Sequence, residues 1–230
     1  MKKVFLILAV FISGISLAQN KADAIFEKYI KTIGADKASH VEAVLQKGKI
    51  KQAGQEMEFE NYMSKKGAGY MKMKMMGMDL VVYAFKDGKG FKMNQSMGHD
   101  DLTEEDLKEM NKKSQNLFGD AVAYKDLERE YVGKEEKNGV KYHVVLVTKD
   151  DQKLKYYFNS KTHLIDFIEI DSPQGKIITE FKDYKDFGGI QQPTHIITKM
   201  GDQVISEMIF DEIIWNPENI SEEVFEKPEY

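Results

Sequence analysis

Thioether sulfur is the most concentrated chemistry in this chain. Nine of its 13 methionines fall in one stretch: Met57, Met63, Met71, Met73, Met75, Met76, Met78, Met93 and Met97. Methionine is unbranched, flexible and polarizable, so such a cluster suits a surface that accepts apolar ligands of varied shape, and equally a core that needs gap-fillers. Thioethers also bind Cu(I), and Met71, Met73 and Met75 alternate with Lys72 and Lys74, which puts the sulfurs on one face of a strand. There is no Cys, however, and no His inside the run, only His99 near its end, so copper is the weakest of the three readings. The other histidines, His40, His143, His163 and His195, are scattered and lack metal-ligand spacing. A GxSxG nucleophile elbow and a GxxxxGK[ST] phosphate loop are both absent. With 38 acidic residues, chance carboxylate pairs are unavoidable. The expectation is therefore a binding protein with no catalytic residues, no metal and no cofactor.

Placing those sulfurs side by side requires strands. Val44 to Lys51 reads as the first strand, and Gly54 turns the chain into Glu56 to Ser64. There Met57, Phe59 and Met63 alternate with Glu56, Glu58 and Glu60, the mark of a strand with one wet face. Tyr70 to Met76 and Met78 to Phe85 follow, and Asp87-Gly88 is a hairpin signal leading into Gly90 to Asn94. If the strands pair in register, Met57, Phe59, Met63, Met71, Met73 and Met75 share a face. With Leu80, Phe91 and Met93 they are expected to line an apolar cavity. Downstream, turn signals at Asn138-Gly139, Asp150-Asp151, Ser160 to Thr162, Pro173 to Gly175 and Gly201-Asp202 recur at short intervals. They predict about ten or eleven strands in one large antiparallel sheet or incomplete barrel. Gly188-Gly189 and Pro193 read as a break between two of them. Two helices are expected. Ala22 to Ile33 is amphipathic through Ile25, Tyr29, Ile30 and Ile33, with Gly34 as its C-cap. Asp101 to Lys113 is short and charged, with Thr103 as N-cap and Asp106 three residues on. It would serve either as a lid or as a plain connection.

The N-terminus has the layout of a cleaved secretory signal. Lys2 and Lys3 precede the apolar run Val4 to Ile12, and Ser16-Leu17-Ala18 offers small residues at the cleavage positions. The expected organisation is a signal peptide at 1–18 and one domain at 19–230, exported to the periplasm. Without Cys, the mature chain has no lipid attachment point after the signal and no disulfides. Removing Lys2 and Lys3 takes the formal charge from −5 to −7. Lysines are mixed with acids throughout, which argues against nucleic acid as a partner.

Several segments, in order, resemble the outer-membrane lipoprotein-sorting (LolA-like) family. They are TIGADKA (Thr32 to Ala38), MMGMDL (Met75 to Leu80), YAFKDGKGFKMNQSMG (Tyr83 to Gly98) and KNGVKYHVVLV (Lys137 to Val147). YYFNSKTHLI (Tyr156 to Ile165), DYKDFGGIQQPTHI (Asp183 to Ile196) and ISEEVFEKP (Ile220 to Pro228) continue the series. The resemblance implies a mainly β (α+β) fold: a curved antiparallel sheet forming an unclosed β-barrel, with helices capping its concave face. It also implies a monomer that carries a lipid or a lipoprotein acyl chain between envelope partners. No cargo motif of that family maps onto individual residues here. The alternative is an accessory protein that grips a protein partner through the curved sheet.

Overall fold

A computed structural model of the protein describes residues 2–75, 77–119, 121–149 and 151–228, with side chains from residue 18 onward; the side chains of residues 2–17, where the signal is expected, and Met76 lie outside the described residues. Helix α1 spans Lys2–Ile33. Six strands follow: β1 Ala43–Gln52, β2 Gln55–Ser64, β3 Ala68–Met75, β4 Met78–Lys86, β5 Lys89–Met93 and β6 His99–Asp101. Helix α2, Glu104–Ser114, then leads to β7 Glu128–Lys137, β8 Val140–Lys149, β9 Gln152–Asn159, β10 Ile165–Ser172, β11 Gly175–Phe187, β12 Ile190–Met200 and β13 Gln203–Trp215. No described helix is long and apolar enough to cross a membrane.

All the strands form one antiparallel sheet in the order β6-β5-β4-β3-β2-β1-β13-β12-β11-β10-β9-β8-β7. Two meanders are thus joined through β1 and β13. The outer strands β6 and β7 do not pair, so the sheet is an open half-barrel. Register shifts within β1–β13, β3–β4, β7–β8, β9–β10 and β12–β13 are bulges, which bend and twist strands and let a long sheet curl. The described strands number 13, more than the turn signals suggested, in part because β6 adds a three-residue edge; Pro193 lies inside β12 rather than breaking the chain before it. A proline costs a ladder bond and is tolerated beside an irregularity. Here its partner Tyr184 follows Asp183, which has φ 53, and Thr194 Oγ1 donates to the Asp183 carbonyl at 2.7 Å.

The concave face holds the main core. Phe26 of α1, 1% exposed, stacks on Tyr124 with ring centroids 4.6 Å apart and meets Phe158 edge-on at 4.9 Å. Ala22, Ile25, Tyr29 and Ile33 continue the stripe onto Val145, Val147, Tyr156 and Ile165. Each large side chain so buried stabilises by roughly 1.5–3 kcal/mol. Asp23 pairs with Arg129 of β7 at the helix flank. Gly34, at φ 76, ends α1 as the sequence implied; a Cβ there would stand 2.2 Å from the Gly189 carbonyl oxygen, so only glycine lets the helix end dock on the β11–β12 hairpin.

The convex face is a charged ladder. Lys49 meets Glu56 at 3.2 Å, Lys72 meets Glu60 at 2.8 Å, and Lys47 meets Glu212 at 3.4 Å. Such exposed pairs contribute about 0–1 kcal/mol each. Their use is specificity, since a one-residue slip would turn this ladder inward.

Candidate functional site

The site is the part of the concave face that α1 does not seal. Alternation puts Val44, Gln46, Gly48 and Ile50 of β1 on the concave side. β2 adds Met57, Phe59, Asn61 and Met63, since Ile50 pairs with Met57, Gly48 with Phe59 and Val44 with Met63. β3 adds Met71, Met73 and Met75, with Met73 opposite both Phe59 and Leu80. From β13 and β12 come Met208 and Ile196. The surface continues under α1 through Ile50, Met208, Ile196 and Phe181. Glycine at 48 keeps a close bulge open: a Cβ would come 2.0 Å from the Ile209 carbonyl oxygen. Phe59 closes over that gap and meets Phe210 edge-on at 5.6 Å.

Seven of the nine residues expected to line a cavity therefore share this face: Met57, Phe59, Met63, Met71, Met73, Met75 and Leu80. Phe91 and Met93 do not. Phe91 pairs with Ala84 and sits on the convex side in a cluster with Leu45, Tyr70, Ala84 and Val224, and Met93 follows it two residues along β5. That cluster is sealed by a C-terminal strap, Ile220, Val224 and Phe225, with Phe225 edge-on to Tyr70 at 5.9 Å. Glycine-rich hairpin chemistry located β5 correctly, but side-chain direction depended on the bulge between Met71 and Lys72, which shifts the β3–β4 register and carries no strong local signal.

Exposure separates two kinds of concave surface. Under α1, Val145, Val147 and Phe158 are at most 1% exposed. Along β2 and β3, Phe59 is buried at 5%, while Met57, Met63, Met71, Met73 and Met75 are half-buried: Met63, Met71 and Met73 pack against the cluster of Val44, Phe59, Phe210 and Ile213 but keep some solvent contact. The chain's flexible side chains therefore lie at a partly open surface, while its aromatic and β-branched residues make the solid core.

Sequence reasoning missed a polar row within this apolar face. Tyr83 Oη donates to Asn61 Oδ1 at 2.9 Å, and Asn61 Nδ2 donates to Gln46 Oε1 at 3.2 Å. Burial pushes the Tyr83 phenol up to about 12, so it stays a neutral donor at all ordinary pH values. No single residue type flags the row; only cross-strand register aligns Gln46, Asn61, Met71 and Tyr83.

The segment after α2 reaches this face as well. Thr103 and Asp106 form a complete capping box, and Lys92 holds the Asp106 carboxylate at 2.8 Å. The helix begins at Glu104, because Asp101 belongs to β6. Helix α2 itself buries only Ser114; the apolar contacts come from Leu117 and Phe118 beyond it, which pack toward Phe210, Ile213, Ile190 and Trp215. Among the described residues, no three His, Cys, Asp or Glu side chains gather as a metal ion would need.

No protein-family model matches the sequence, and no curated protein matches it. Solved structures do. A DUF1329 family protein from Desulfovibrio piger superposes with TM-score 0.57 at 12% identity, covering 89% of this chain and 96% of its own. A LolA superfamily protein from Nitrosomonas europaea gives TM-score 0.57 at 13% identity, with 90% and 97% covered. A domain assigned to outer-membrane lipoprotein sorting, from Vibrio parahaemolyticus, gives 0.51 at 10%, with 88% and 97% covered. The chain has the LolA-like fold.

Proposed function

We propose that this protein is an exported, non-catalytic carrier that sequesters an acyl chain, of a lipid or a lipoprotein, on its concave face. The contact residues are Met57, Phe59, Met63, Met71, Met73, Met75 and Leu80, with Ile50, Ile196 and Met208 continuing the surface. The observation that supports this most is that every methionine in the stripe keeps partial solvent contact: apolar side chains held at a concave surface that is not fully sealed are available to a ligand. The fold it shares with a lipoprotein-sorting domain supports the same class of cargo, and the leader at 1–18 supports export.

The mechanism is burial. Each methylene removed from water is worth about 0.8 kcal/mol, so shortening a chain by two carbons weakens binding roughly tenfold. Methionine's three soft torsions let one surface accept chains of different length and unsaturation. The Gln46–Asn61–Tyr83 row supplies hydrogen bonds for an ester or amide at one place along the chain. Native mass spectrometry of the protein isolated from its own envelope, with lipid extraction, tests the reading. An adduct of acyl mass that disappears in Met73→Asp is the expected result. A clean unliganded mass, together with no uptake of fatty acyl probes of any length, overturns it and leaves the protein-gripping alternative.

A further inference from the structure

Most sheet lysines have a carboxylate partner, as Lys49, Lys72, Lys137 and Lys199 do with Glu56, Glu60, Glu169 and Glu180. A basic group of side chains between α1 and β8–β9 has no such partner among the described residues. Lys21 and Lys28 lie seven residues apart on α1, two turns along one side of the helix. His143 of β8 and His163 of the β9–β10 turn face them. With Ala24, Ile25 and Phe158, these four line a pocket of about 160 Å³ that has no Asp or Glu in its wall. None of the four makes an ion pair among the described residues.

The pocket is built rather than incidental. His163 stands at φ 62, in the left-handed region that Gly, Asn, Asp and His enter most readily. The turn fixes it there: the His163 amide donates to the Asn159 carbonyl at 2.9 Å, and the Lys161 and Thr162 amides donate to Asn159 Oδ1 at 3.0 and 3.2 Å. On the other wall, Lys21 Nζ sits 4.1 Å from the Tyr131 ring centroid, and Tyr131 Oη is 3.4 Å from His143 Nδ1. Ile25 and Phe158 form an apolar floor, where charge is poorly screened. The local field is positive: burial, then the charges of Lys134, Lys21, Lys28 and His163, lower the basicity of His143.

We propose that this pocket binds a phosphate-type oxyanion, either free or as the headgroup of a lipid. Two ammonium groups and two imidazoles at the mouth of an apolar-floored pocket, with no competing carboxylate, match the charge and donor needs of one such group. The size of the pocket limits the ligand to a single group, which sets it apart from a polyanion surface. It opens on the same concave side as the methionine stripe, on the opposite limb of the half-barrel, and it does not depend on the acyl-chain reading.

Histidine-ring NMR of the full chain tests this, at constant pH and ionic strength, with inorganic phosphate in one titration and a lysophosphatidic acid below its micelle concentration in another. Saturable shifts of the His143 and His163 signals are expected. Binding should weaken about tenfold or more in the double variant Lys21→Gln/Lys28→Gln and in His163→Asn, given one or two charged hydrogen bonds lost. Asparagine is chosen because it tolerates the left-handed backbone. Lys49→Gln, on the convex face, should bind like the parent. Equal affinity for the two probes assigns a free oxyanion; at least tenfold tighter binding of the lipid assigns a headgroup. Loss of lysophosphatidate binding in Met73→Asp with phosphate binding intact would locate the chain and headgroup separately. No saturable shift with either probe, or shifts unchanged in both pocket variants, overturns the proposal.

Discussion

Placing a charge at Met73 distinguishes an open apolar surface from a closed core. Met73 sits mid-stripe, opposite Phe59 on one side and Leu80 on the other, and is half-buried. Fully burying a methionine is worth roughly 1.5–3 kcal/mol, so removing this one costs about 1–2 kcal/mol. Aspartate in a strand adds up to about 1 kcal/mol. A carboxylate that keeps its water adds little more, and Met73→Asp should therefore lose about 2–3 kcal/mol. In a sealed core the same change would also strip the charge of water, at several kcal/mol for an unpaired ion. Urea unfolding with an unchanged slope measures the difference. Uptake of a fluorescent acyl chain should fall about tenfold or more in the same variant, because the charge stands where the chain would lie. A stability loss above about 4 kcal/mol, or failure to fold, would refute the open-surface reasoning and make the stripe structural.

Phe26→Ala should behave in the opposite way, losing about 3–5 kcal/mol in urea unfolding, since the ring is sealed between Tyr124, Tyr156 and Phe158. The Asp106 carboxyl is held down to about 2 by its hydrogen bond from Lys92 and those from Thr103. Its capping role is thus complete above the ordinary aspartate range and lost only as pH falls toward 2; carboxyl NMR should find that midpoint, and Lys92→Met should raise it. Burial acts to raise the Glu169 carboxyl, but hydrogen bonds from Lys137 at 2.5 Å and Lys176 at 3.1 Å outweigh it and leave it below the usual range. The stability this contributes is present at neutral pH and lost as pH falls below about 4. Lys137→Met should cost roughly 1–3 kcal/mol and shift the acid transition to higher pH, followed by circular dichroism against pH.

Legibility followed the range of the interactions. The Glu56 to Ser64 alternation, the Asp87-Gly88 hairpin and the Thr103–Asp106 cap are local, and each stands in the structure where the residues placed it. Gly34 was equally readable, because a helix C-cap favours a residue free to take positive φ; the Gly189 backbone packed against it was not. Phe91 was not. Its apolar character and spacing matched the stripe, yet it turned to the convex side, where residues 220–225 cover it. That strap is more than 120 residues away in sequence; within it the exposed Glu222 meets Lys86 at 2.5 Å.

By itself, the amino-acid order determined the class of fold, the antiparallel strands and their wet faces, and a methionine stripe on one side of two of them, because period and turn chemistry act over a few residues. Only the tertiary structure decided how far that stripe is covered. The chain leaves the sheet at β6 and re-enters at the far edge, β7, so residues 102–127 must cross between the two edges. α1 seals the β8–β10 side and leaves the methionines of β2 and β3 partly open. The basic pocket is a product of the same docking, since Lys21, Lys28, His143 and His163 come from three separated segments. Exposure and convergence are properties of packing between distant elements, and no local pattern encodes them.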